Sequence, residues 1–134
     1  MLKKIDHIGI AVRDLESGIR LYRDILGVEP EATLDFPPEK VKIAFFPLGE
    51  SSVELLQPTH PDSAIHKFLE KRGEGIHHIC YRVDDLNKAI ETLVARGLKP
   101  LDAKPRAGAH NTKVVFFHPK DTAGHLIELS EKAH

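Results

Sequence analysis

Two histidines and two glutamates of this chain stand in apolar, strand-like runs: His7 in Asp6-His7-Ile8, Glu54 in Val53-Glu54-Leu55, His78 in His77-His78-Ile79 and Glu128 in Ile127-Glu128-Leu129. Burying an ionisable group among such neighbours is costly unless it is paired or ligates a metal. The four fall into matched pairs. The run Ile5 to Leu15 returns as Ile76 to Leu86 with Ile, His, Ile, Val, Asp and Leu at the same places, and Val53-Glu54-Leu55 is answered by Ile127-Glu128-Leu129. Brought together, two imidazoles and two carboxylates make a mixed nitrogen and oxygen set suited to a divalent transition metal, with space left in an octahedral shell for water or substrate. Gln57 is a rival ligand by proximity, but its odd offset from Glu54 turns it to the other side of a regular strand. His77 must likewise point away from His78. His118, in Phe117-His118-Pro119-Lys120-Asp121, and His110, in a glycine-containing loop, are further pocket candidates or exposed loop residues. Cys80, the only cysteine, reads as core filler in an apolar strand.

Elements that could position these groups are legible on both sides of the repeat. Asp14 is placed to cap a helix whose buried stripe is Leu15, Ile19, Tyr22 and Leu26, with Gly27 as its stop. Asp85, the stripe Leu86, Ile90 and Leu93, and Gly97 repeat the design. Three strands are expected after each helix: Val28 to Asp35, Val41 to Leu48 and Ser52 to Gln57, then Leu98 to Ala103, Lys113 to His118 and His125 to Ser130. Turn signals at Pro37-Pro38, Gly49, Pro105, Gly108 and Gly124 separate them. The fold class is therefore α+β, two βαβββ modules over residues 3–58 and 75–131, joined by a linker helix at 61–73 that carries Ile65, Phe68 and Leu69 on its apolar side.

Composition narrows the function classes. At 134 residues the chain has the length of a single domain. Its 19 basic and 20 acidic side chains leave a net charge of -1, which supplies neither the basic footprint of nucleic-acid binding nor a polybasic membrane patch. One cysteine excludes an internal disulfide framework. No run is long enough to span a membrane, so a soluble, cytoplasmic protein is expected.

The paired modules and the His, Glu, His, Glu order resemble the vicinal oxygen chelate superfamily, which includes glyoxalases, extradiol dioxygenases and bleomycin resistance proteins. Within it, the methylmalonyl-CoA epimerase family is the nearer resemblance. It rests on Asp6-His7-Ile8-Gly9-Ile10-Ala11-Val12, Val53-Glu54-Leu55-Leu56-Gln57-Pro58 and Gly75-Ile76-His77-His78-Ile79-Cys80. The fourth part is Phe117-His118-Pro119-Lys120-Asp121 running into Gly124-His125-Leu126-Ile127-Glu128-Leu129, which with the double histidine is the most particular. The resemblance implies a cup-shaped mixed β-sheet and a divalent ion, cobalt first, with manganese, nickel or zinc as alternatives. That ion would lie on His7, His78 and Glu128, with Glu54 at a fourth position where some relatives carry glutamine. It further implies a homodimer that epimerises methylmalonyl-CoA at carbon 2 through a metal-stabilised enolate. Some bacterial members place a second glutamate where this chain has Ile43. Glu128 is then a candidate base as well as a ligand, and Glu39, in the Pro37-Pro38-Glu39-Lys40 loop, a second candidate. Lys104, Arg106 and Lys120 lie in loops suited to coenzyme A phosphates. A glyoxalase-type, lactoylglutathione lyase-like isomerase and a non-catalytic ligand-sequestering protein of the bleomycin-resistance type are the alternatives.

Overall fold

A computed structural model describes residues 2–132. The βαβββ order occurs twice. The first copy is β1 (Leu2–Ala11), α1 (Leu15–Leu26), β2 (Ala32–Phe36), β3 (Val41–Leu48) and β4 (Ser51–Pro58). After helix α2 (Ala64–Arg72) comes the second copy: β5 (Gly75–Val83), α3 (Leu86–Ala95), β6 (Arg106–Gly108), β7 (Thr112–Phe117) and β8 (Leu126–Lys132). Two compact units result, His7–His77 and a second made of residues up to Asp6 with those from His78 onward, so that both boundaries fall inside strands, β1 and β5.

In the first unit β1 pairs parallel with β4, β4 antiparallel with β3, and β3 antiparallel with β2. The second repeats this mixed pairing with β5, β8, β7 and β6. Helix α1 begins where Asp14 accepts from the Ser17 N–H at 3.0 Å and ends at Gly27, whose φ of 70° supplies the left-handed cap. It buries Leu15, Gly18 and Ile19 against Val12, Ala44, Phe46, Val53 and Leu55. In the second unit Leu86 and Ala89 of α3 pack with Val83, Val115, Phe117 and Leu129. These are the same core positions used again: Phe46 and Phe117, both fully buried, lead the two clusters. Fully burying one such ring contributes roughly 1.5–3 kcal/mol. Gly18 stands where α3 has Ala89, and a Cβ there would lie 3.1 Å from Leu55 Cδ1, which sets how closely α1 approaches the sheet.

The linker helix α2 starts at Ser63, whose hydroxyl accepts from the Ile65 N–H and donates to the Glu39 carbonyl, and it buries Ile65 and Leu69. No helix among the described residues is long and apolar enough to cross a membrane. Two strand expectations fail. The strand expected from Val28 starts at Ala32, because Pro30 has no N–H to give the ladder and Glu31 makes the first bond, to the Phe45 carbonyl. Leu98 to Ala103 is not a strand. Only a Pro100 to Phe117 bridge forms there, and the third pairing element is Arg106–Gly108, beyond Pro105.

Candidate functional site

Each unit holds one buried histidine-carboxylate pair. In the first, His7 Nδ1 lies 3.1 Å from Glu54 Oε2. In the second, His78 Nε2 lies 3.2 Å from Glu128 Oε1. All four residues are 6–8% exposed. The strand register explains both pairings. Glu54 sits beside Gly9, two residues along β1 from His7, and Glu128 sits beside Cys80, two residues along β5 from His78, so each imidazole shares its carboxylate's face of the sheet. An aromatic ring flanks each carboxylate on the other side, Phe45 opposite Glu54 and Phe116 opposite Glu128. Phe116 also meets the His78 ring edge-on, with centroids 6.0 Å apart.

Donor atoms 3.1 and 3.2 Å apart suit a metal as well as a hydrogen bond. Two ligands each at ~2.1 Å from one ion and at right angles are themselves ~3.0 Å apart. Imidazole nitrogen with carboxylate oxygen is the donor chemistry of zinc, cobalt, nickel and manganese sites. Each pair can thus supply two adjacent ligands.

The other sequence candidates are placed elsewhere. Gln57 is no ligand in its unit: its Oε1 accepts from the Leu15 N–H at 2.7 Å, at the start of α1. Glu131 does the same for Leu86 at 2.8 Å, at the start of α3. His77 turns to α2, edge-on against Phe68 at 5.1 Å. His110 and its neighbour Asn111, both at φ 57°, make the exposed turn between β6 and β7. His118 is exposed and caps the 3-10 turn Pro119–Asp121, its Nδ1 accepting from the Lys120 N–H at 3.0 Å. Glu39 closes the 3-10 turn Pro37–Glu39 just before β3 and is half-buried. Ile43, 4% exposed, shares its face of β3 with Phe45, so this position of β3 is filled by an apolar side chain. Lys104 and Lys120 are exposed in connecting segments, whereas Arg106 opens β6 and is not in a loop.

Sequence reasoning missed the groups around the pairs. Arg82 reaches Asp6 at 2.7 Å and Ser130 at 3.2 Å, a half-buried network on the second unit's sheet. Phe45 and Phe116 were also missed. Their signal was available, since the two rings occupy the same place in the two modules.

Over residues 6–116 the sequence matches the glyoxalase/bleomycin resistance protein/dioxygenase superfamily. The chain belongs to this superfamily. Among its relatives is the ethylmalonyl-CoA/methylmalonyl-CoA epimerase of Cereibacter sphaeroides, 42% identical over 133 residues, covering 98% of this chain and 99% of that one. The crystal structure of methylmalonyl-CoA epimerase from Mycobacterium tuberculosis superposes with a TM-score of 0.93 at 35% identity, covering 99% of this chain and 90% of that one. A variant of the Streptomyces coelicolor enzyme in complex with 2-nitronate-propionyl-CoA superposes at 0.91 with 36% identity, covering 99% and 96%. The α+β fold with two βαβββ modules is the superfamily's fold, and the resemblance carried by the doubled histidine strand is borne out.

Proposed function

We propose that this protein is a methylmalonyl-CoA epimerase that holds one divalent ion with His7, Glu54, His78 and Glu128. The observation that carries the reading is the duplicated buried pair, a histidine and a glutamate at ligand spacing in each module. Epimerase relatives that cover nearly the whole chain support the substrate class.

Carbon 2 of the substrate lies between a thioester and a carboxylate, and removing its proton builds charge on the thioester oxygen. A divalent ion held by His7, Glu54, His78 and Glu128 would supply Lewis-acid stabilisation of that charge. The rest falls to the protein. Glu128 has two oxygens, one to ligate and one to accept the proton, and its buried position beside Phe116 keeps competing water away. Inversion requires a proton on the opposite face. With Ile43 in place of a carboxylate, that return is assigned to Glu39. Glu39→Gln should therefore slow epimerisation more than it slows exchange of the proton handled by Glu128. We assign the chain as one catalytic domain, working as a cytoplasmic homodimer, with cobalt as the first metal to supply.

Racemic methylmalonyl-CoA incubated in heavy water with the cobalt-loaded protein should exchange its carbon-2 proton, and His78→Ala should abolish both exchange and stoichiometric metal. Failure to exchange with cobalt, manganese, nickel or zinc would overturn the reading. Turnover of the hemithioacetal of methylglyoxal and glutathione in its place would assign a glyoxalase-type isomerase.

A further inference from the structure

The duplication allows the two sheets to be compared position by position, and one pair of neighbours differs in chemistry. In the first unit Ala11 of β1 stands beside Leu56 of β4. The same places in the second unit hold Arg82 of β5 and Ser130 of β8. Ala11 and Leu56 are 0% and 5% exposed, so the module folds with an apolar pair there. Putting a charge in such a place is costly unless it is well partnered. Arg82 donates from Nη2 to Asp6 Oδ1 at 2.7 Å and from Nε to Ser130 Oγ at 3.2 Å, and the Arg82 and Asp6 side chains are about four-fifths buried. A guanidinium has more N–H groups than these two bonds use. Among the described residues Arg82 makes no other hydrogen bond, and Ser130, 3% exposed, accepts the Nε proton without donating its own hydroxyl proton.

The position of these donors decides what they can meet. Strand alternation puts Arg82 on the face of β5 that carries His78, and Ser130 on the face of β8 that carries Glu128. The Arg82–Ser130 row lies next to the Cys80–Glu128 row, about 7 Å along the strands. We infer that Arg82, fixed by Asp6 and Ser130, recognises the free carboxylate of the substrate and so selects malonyl-type thioesters over simple acyl thioesters. The identity of the ligand rests on the epimerase reading. That carboxylate is bonded to carbon 2, the atom whose proton goes to Glu128, whereas the phosphates of coenzyme A lie a pantetheine arm away. A planar guanidinium edge matches a planar carboxylate. Asp6 and Ser130 keep the fork from turning and leave its remaining N–H groups for the ligand. In the first unit Ala11 and Leu56 offer no side-chain donor, so an asymmetric substrate has one preferred orientation.

The test compares two ligands that differ only by the carboxylate. Dissociation constants of methylmalonyl-CoA and propionyl-CoA are measured calorimetrically on the cobalt-loaded wild type, Arg82→Gln and Ser130→Ala, with circular dichroism to check each fold. Arg82→Gln should weaken methylmalonyl-CoA ~10-fold or more, the loss of charge-assisted hydrogen bonds, and leave propionyl-CoA unchanged. Ser130→Ala keeps the Arg82–Asp6 pair and should reduce the preference for methylmalonyl-CoA ~3-fold, the loss of the hydroxyl that orients the fork. An unchanged preference in folded Arg82→Gln overturns the inference, whether both ligands weaken equally or neither does. Should the loss of the Arg82–Asp6 pair unfold that variant, Ser130→Ala decides, and an unchanged preference there overturns the inference. Carbon-2 exchange by the wild type is read in parallel. If exchange is absent while the preference depends on Arg82, the epimerase reading falls and the carboxylate assignment stands; exchange with a preference indifferent to Arg82 has the opposite meaning.

Discussion

Replacing Gln57 by methionine keeps the side chain's length and removes its acceptor. The Gln57 oxygen takes the Leu15 N–H at 2.7 Å, one of the orphan donors at the start of α1 that no intrahelical carbonyl can satisfy. Leu15 is itself buried at 7% exposure, so water does not readily replace the lost partner. A partly buried unsatisfied N–H costs about 1–2 kcal/mol. The chain's 134 residues carry an unfolding entropy of ~0.28 kcal/mol/K at the midpoint, from about 2.1 cal/mol/K per residue. The expected fall in Tm is therefore ~4–7 °C. Gln57→Glu keeps the acceptor and adds a negative charge at a helix N-terminus, which the helix dipole favours, so it should melt at or above the wild-type temperature. Calorimetric melts of the metal-free proteins measure both, and metal content after loading is determined on the same samples. Gln57→Met melting with the wild type would refute the capping argument. Loss of bound metal in Gln57→Met would make Gln57 the ligand that its sequence position first suggested.

Other consequences are equally direct. Asp14 is held below its ordinary value of 3.8, first by the Ser17 hydroxyl and then by the Ser17 N–H. A carboxyl lowered in the folded state stabilises above its unfolded value and loses that contribution as pH falls through the lowered one, so α1 should loosen below about pH 4. Asp14→Asn, which can cap without titrating, should flatten that part of a Tm against pH series; an unchanged acid slope would disprove the assignment. Gly108→Ala would put a Cβ 2.6 Å from both Thr112 Oγ1 and Val114 Cγ1. Overpacking of that kind costs about 1–3 kcal/mol. A lowered urea midpoint is expected; an unchanged midpoint would show that the hairpin yields freely.

Local chemistry made much of the fold legible. Asp14 and Gly27 bound α1, Asp85 opens α3, and the strand expected from Val41 to Leu48 is present with those ends. These signals are short-range, since a cap needs only a side chain within three residues and a glycine only its own φ. The errors cluster where prolines interrupt apolar runs. At Pro30 and Pro100 the apolar pattern persists, but the backbone lacks the donor a ladder needs, and hydropathy alone does not register the loss.

The doubled histidine strand by itself determined that the chain is two copies of one module, and residue type alone made His7, Glu54, His78 and Glu128 the candidate ligands. Which carboxylate serves which imidazole was decided by tertiary structure. Each histidine pairs with a glutamate on a strand far along the chain, because β1 runs parallel to β4 and β5 parallel to β8 in one particular register. The same register sent Gln57 and Glu131 to the helix starts and put Phe116 between His78 and Arg106. Strand side chains alternate between two faces, so a register shift of one residue would exchange ligands for caps. That choice is made by the packing of the Phe46 and Phe117 cores against their helices, through contacts between residues distant in sequence.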